Sequence, residues 1–263
     1  MSPIGFTAKF PWVTFGGARP KKSVVEVYFP SRGRAFSYYN DRFDLHCGDL
    51  VYVEGKLEGQ RGRVVEVNYN FRIRLSDYKR VIALAETEVH GRFFLLGSHF
   101  VTFDRAALPA KTAASWYVPP IGEDEEVVSG NDEQYFPLSD LSKMNAAAAI
   151  VERGQDYYRN NRVRYLCVDG TDGYAIVEGT RAYEVCFTLR EGNVSGLTCD
   201  CFCSFTCKHE VAAMLQLREV LEAIQTLEKE RGEALGGEYF AAVSRETMFE
   251  FVLSGRKNRE IVL

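Results

Sequence analysis

The chain has no uninterrupted apolar run longer than six residues, the Ala-Ala-Ala-Ala-Ile-Val of 146–151. A bilayer-spanning helix needs about 20 such residues, so helical membrane spans are excluded. Residues 1–20 mix Pro, Gly and Lys9 among their aromatics, without the continuous apolar stretch of a secretory signal. The expectation is a soluble, cytoplasmic protein. Proline is sparse at 8 and glycine ordinary at 22, while 46% of residues are hydrophobic and 26% charged. That balance excludes collagen-like, low-complexity and disordered classes. Reactive motifs are missing too: there is no Gly-Lys-Ser/Thr phosphate loop, Gly-x-Ser-x-Gly elbow or His-x-Glu deaminase pattern. His46, His90 and His99 stand alone, with nothing nearby to complete a catalytic or metal set. The chain reads as a non-enzyme.

Cysteine is present, and its placement is uneven. The seven cysteines stand at 47, 167, 186, 199, 201, 203 and 207, four of them within nine residues. An odd count without a secretory signal argues against a disulfide framework, and Cys-x-Cys spacings close only small, strained rings. In a reducing compartment such a cluster points to a metal. Cys167 and Cys186 alternate with apolar neighbours and read as core thiols. Cys47 precedes a turn and has no base partner in sequence.

The net charge of −4 hides an asymmetry. Residues 1–117 hold 17 Lys and Arg against 11 Asp and Glu, a balance of +6; the remainder holds 15 against 25, a balance of −10. Between the halves, residues 117–133 combine Pro, Gly and six carboxylates. Such a stretch reads as a linker. The resulting division is a basic, strand-rich domain over 1–117, an acidic linker over 118–134 and a second domain over 135–263.

In the front half, 24–29 and 34–39 are short β-branched or aromatic runs separated by Pro30-Ser-Arg-Gly33, and 50–53 and 63–67 follow. Residues 71–75 alternate strictly, with Phe71, Ile73 and Leu75 on one face and Arg72 and Arg74 on the other. Short strands at this spacing predict a small barrel. The back half opens with an N-cap candidate at Ser139-Asp140 and a helical pattern through Leu141, Met144, Ala148 and Val151 towards Tyr158. Strand patterns at 163–168, 174–177 and 183–189 follow, then a Glu191-Gly-Asn193 turn and a strand over 194–198. Beyond the cysteines, Val211, Met214, Leu215, Leu217, Leu221, Ile224 and Leu227 mark a long amphipathic helix. The fold class is α+β.

The cluster reads Cys199-Asp-Cys201-Phe-Cys203-Ser-Phe-Thr-Cys207-Lys-His209, between a hairpin strand and that helix. Zinc takes four nitrogen or sulfur ligands in a tetrahedron. A Cys-x-Cys pair leaving a strand can offer two thiolates to the point that Cys207 and His209 reach from the first helical turn. The first pair is either Cys199/Cys201 or Cys201/Cys203. The former is favoured, because five residues before Cys207 let the chain turn around an ion where three do not; Cys203 is the alternative ligand. With four protein ligands no position remains for an activated water, which makes the Zn²⁺, one per chain, structural.

These residues resemble the SWIM zinc finger, whose pattern is Cys-x-Cys, a variable gap and Cys-x-His. Gly154-Gln-Asp-Tyr-Tyr-Arg-Asn-Asn-Arg-Val163, Val177-Glu-Gly-Thr-Arg-Ala-Tyr-Glu-Val185 and Cys207-Lys-His-Glu-Val-Ala-Ala-Met214 are similar to further parts of that family. The resemblance covers about 140–228 and implies a hairpin–zinc–helix module that binds DNA or protein without catalysis. Gly48-Asp-Leu-Val-Tyr-Val-Glu-Gly55 with Gly59-Gln-Arg-Gly-Arg-Val-Val-Glu-Val67 resembles a KOW motif, which implies an SH3-like barrel contacting nucleic acid or ribosomal partners. Arg61, Arg63, Arg72 and Arg74, with Tyr69 nearby, can then form a basic stripe with an aromatic for stacking; the alternative is an ordinary solvated sheet face. The leading expectation is a zinc-stabilised, non-enzymatic accessory factor for nucleic acid, DNA favoured over RNA. The other is a protein–protein adaptor, which the acidic back half supports.

Overall fold

The computed structural model of the chain describes residues 21–253 apart from 88, 90, 98, 104–106, 120–133 and 233–238. Residues 1–20, His90 and nearly all of the acidic segment lie outside the described residues. In chain order the elements are β1 (Ser23–Phe29), β2 (Arg34–Asn40), β3 (Leu50–Val53), β4 (Gly62–Asn68), β5 (Val81–Ala85), β6 (Phe93–Leu96), β7 (Phe100–Phe103), α1 (Ala110–Ser115), β8 (Tyr135–Pro137), α2 (Ala148–Arg159), β9 (Val163–Asp169), β10 (Asp172–Glu178), β11 (Ala182–Arg190), β12 (Asn193–Cys199), α3 (Lys208–Arg231) and β13 (Tyr239–Ser244), with a short helical end over 245–253.

The first five strands form one antiparallel sheet in the order β2-β1-β4-β3-β5. Alternate residues of β1 and β4 point inward, so Val25, Val27, Phe29 and Val64 pack with Val51, Val53 and Val81. Gly62 is required by space: a Cβ there would sit 2.4 Å from a methyl of Val27 and 2.8 Å from the Phe29 ring.

The expected barrel does not close among the described residues. A single parallel bridge from Tyr39 to Arg80, with Tyr39 N–H donating to the Lys79 carbonyl at 2.9 Å, brings the two edges together at one end only. Nor do residues 71–75 supply a strand. The segment leaves an Asn68 turn, packs Phe71 edge-on against Tyr39 and enters a 3-10 turn at Leu75–Asp77 that exposes Leu75. Its alternation marks an extended but unpaired piece of chain, in which Phe71 and Ile73 are half-buried and Arg72 and Arg74 exposed.

The second antiparallel sheet has eight strands in the order β6-β7-β13-β9-β10-β11-β12-β8. It draws β6 and β7 from before the acidic segment, and β13 inserts between β7 and β9. Both faces are buried. Along β9, Leu166 and Val168 face one cluster with Val211, Met214 and Leu217 of α3, while Tyr165 and Cys167 face a second with Trp116, Phe251, Leu50 and Ala85. Trp116 stacks on Phe251 at 5.0 Å between ring centroids. This second cluster covers the back of β3, which explains why all four of its residues are buried.

The helix expected from 139 is divided. Asp140 caps a 3-10 turn over Leu141–Lys143, accepting from Ser142 N–H, and α2 begins only at Ala148. Gly154 is buried where α2 crosses α3: a Cβ would lie 2.4 Å from a Val211 methyl. The hairpin of β11 and β12 turns on Glu191 and Gly192, both at positive φ (49° and 76°), the geometry of the tightest hairpin turns.

Candidate metal centre

Three local devices bring the cysteine cluster together. First, β12 ends at Cys199, held opposite Val185 of β11. Second, Asp200 pins the turn that follows. Its carboxylate accepts from Glu184 N–H at 2.9 Å and from Arg181 at 2.6 Å, and Arg181 also donates to the Asp200 carbonyl at 2.7 Å. Third, Cys207 is the N-cap of α3. Its sulfur accepts from Glu210 N–H, and the buried Glu210 carboxylate accepts from Cys207 N–H at 2.7 Å. This is a capping box with sulfur in the hydroxyl's place. It fixes the first helical turn and therefore the direction of His209.

The result is a group of four. The donor atoms of Cys199, Cys201, Cys207 and His209 all lie within 4.8 Å of one another and can hold a metal ion. Nδ1 of His209 is 3.7 Å from the sulfurs of both Cys199 and Cys207. Around an ion at about 2.3 Å from sulfur and 2.0–2.1 Å from nitrogen, tetrahedral donors stand ~3.5–3.8 Å apart, a spacing that these two distances match. Cys203 is exposed and outside this group.

The Cys207 thiol is pushed down to about 4, first by the hydrogen bond from Cys199, then by His209 and the Glu210 N–H. Cys199 is pushed up by sharing that proton and by burial, and burial raises Cys201 to about 11. The N-terminus of α3 favours negative charge at Cys207 in the same direction.

The imidazole is positioned by rings. Tyr183 stacks on His209, and Tyr157 meets it edge-on at 5.4 Å. Nε2 of His209 is buried with no hydrogen-bond partner among the described residues, so the usual polar support of a ligating histidine is replaced by stacking. Lys208 lies 4.6 Å over the Tyr157 ring. The spacing in sequence marks the four donors but not Glu210, Asp200, Arg181 or the two tyrosines. The Cys-x-x-Glu spacing was a usable signal for the capping box; the tyrosines come from other elements and carried none.

The four arginines expected to form a stripe divide into two pairs. Arg61 donates to the Trp116 carbonyl and to Glu250 at 2.8 Å, and its guanidinium lies 4.2 Å over Phe251. Arg63 donates to the Gly48 carbonyl at 3.0 Å. Arg72 and Arg74 are exposed and make no side-chain hydrogen bond or ion pair among the described residues, and Tyr69 near them is half exposed. Cys167 is buried as expected, but Cys186 is exposed: it neighbours Val185 and Phe187, whose side chains take the inward face of β11. His46 pairs with Asp49 three residues on, and burial lowers the His99 pKa.

No helix among the described residues is long and apolar enough to cross a membrane. Comparison with family models, curated proteins and solved structures gives no match to this chain.

Proposed function

We propose that the chain is a zinc-stabilised accessory factor of the SWIM type that binds nucleic acid, DNA in preference to RNA, without catalysing a reaction. The observation that carries the reading is the set of three cysteines and one histidine within 4.8 Å, supplied wholly by the protein. Three soft thiolates and an imidazole are a donor set suited to zinc. When bound, the ion contributes cross-linking and charge, not an activated water. Cys199 and Cys201 at the end of β12 and Cys207 and His209 at the start of α3 would hold it, and the junction between hairpin and helix is the part it stabilises.

Nucleic-acid contact falls to Arg72 and Arg74, the two candidate guanidiniums without partners among the described residues, with Tyr69 available for stacking. Titrating a labelled DNA oligonucleotide at several salt concentrations tests the reading, because neutralised phosphates release counterions and give a steep salt slope. A flat slope and no binding would leave the adaptor reading, which the exposed Phe202 and Phe205 favour.

A further inference from the structure

The loop that closes the metal centre carries two side chains that the centre does not use. Phe202 is fully exposed and Phe205 is 86% exposed. Thr206, next to Phe205, accepts from Gln134, and the adjacent Tyr135 is 71% exposed. Three large aromatics thus stand at the N-terminal end of α3. A soluble chain seldom shows a cluster of this kind unless something covers it.

The same end of the molecule has a cleft. Its cavity of about 380 Å³ has an apolar floor of Leu141, Met144, Ala146, Val151, Val211 and Leu215, between the 139–146 segment and the crossing of α2 and α3. Val211 and Leu215 lie four and eight residues along α3 from Cys207, or ~6–12 Å at 1.5 Å per residue. Knob and cleft are therefore neighbours on one helix. Arg218 lines the cleft, half-buried, and makes no hydrogen bond or ion pair among the described residues. A guanidinium in that state is suited to the face of an incoming aromatic ring.

We propose that the chain forms a two-fold dimer in which Phe202 and Phe205 of one copy enter the cleft of the other, and the reverse. A two-fold contact needs a knob and a complementary hollow on one continuous surface, which is what this end of α3 offers. Four phenyl rings bury roughly 600–1,000 Å² at 150–250 Å² each, which approaches the ~1,200 Å² at which stable interfaces begin. Bases are a poorer occupant, because the acidic balance of −10 beyond residue 117 repels phosphate. The inference stands whether or not Arg72 and Arg74 bind nucleic acid.

Sedimentation of the full chain from ~1 to ~100 µM tests it, a range that spans micromolar dissociation constants. The wild type is expected to dimerise. Phe202→Ser with Phe205→Ser raises the dissociation constant at least ~100-fold, as loss of two aromatic anchors does, while metal content and circular dichroism stay unchanged. Gln155→Trp, which fills the cleft from its α2 wall, has the same effect with the knob intact. Arg72→Glu leaves the dimer alone. A monomer at every concentration overturns the proposal, as does a dimer indifferent to both the serine pair and Gln155→Trp. Loss of oligonucleotide binding by the serine pair in a monomeric chain would assign the rings to base stacking and equally overturn it.

Discussion

The ring of Tyr183 stacks on the imidazole of His209, with 4.0 Å between centroids and 17° between planes. This contact crosses from β11 to α3 and sets the imidazole's plane, with no hydrogen bond to its second nitrogen among the described residues. Tyr183→Leu should therefore loosen the metal about 10-fold or more, the range found when support behind a ligating histidine is removed. Tyr183→Phe, which keeps the ring and loses only the hydroxyl paired with Thr180, should retain it. A chelator-competition titration separates the two; equal loss in both variants would mean the stacking has no role.

Cys199 and Cys203 separate the two ways of drawing the site. Cys199 sits in the group around His209 and Cys203 lies outside it, exposed. Cys199→Ser is expected to abolish stoichiometric metal, and Cys203→Ser to leave it. Metal analysis of the two purified variants decides, and the reverse order would move the first pair to Cys201 and Cys203.

Gly154 tests the support beneath the centre. A Cβ at this position would lie 2.4 and 2.5 Å from Val211 side-chain atoms and 3.1 Å from the Lys208 carbonyl, so α2 would have to withdraw from the first turn of α3. Gly154→Ala should cost ~1–3 kcal/mol despite alanine's better helix propensity, because overpacking dominates. Denaturant unfolding measures it, and an unchanged or higher midpoint would show that the crossing can relax.

The four candidate arginines should behave as two classes. Charge reversal at Arg72 and Arg74 is expected to weaken oligonucleotide binding and lower the salt slope by roughly one unit per lost contact, with no change in melting. Reversal at Arg61 should instead destabilise the fold, since Glu250, the Trp116 carbonyl and the Phe251 ring all receive that guanidinium. Melting curves and binding isotherms on the same variants check both halves.

What could be read from the sequence was local. The β11–β12 hairpin follows from Glu191-Gly192, and α3 from its apolar period. The four donors follow from spacing within eleven residues, because a strand end and a helix start leave little freedom between them. What could not be read was pairing across long separations. Nothing in Phe100–Phe103 announces that Tyr239–Ser244 will lie beside it, since an apolar strand fits any buried slot. Residues 71–75 show the converse error: alternation records which side chains are half-buried, not whether the backbone finds a partner. Cys186 misleads for the same reason, because its apolar neighbours in sequence occupy the opposite face.

The central claim is that Cys199, Cys201, Cys207 and His209 hold a zinc ion that joins β12 to α3. Elemental analysis of the chain purified without added metal, paired with a thermal melt before and after chelation, tests it most directly. The account predicts one zinc per chain and a large drop in melting temperature on its removal, since structural zinc contributes on the order of 10 kcal/mol in small finger units. A metal-free chain that melts at the same temperature with and without chelator would contradict it.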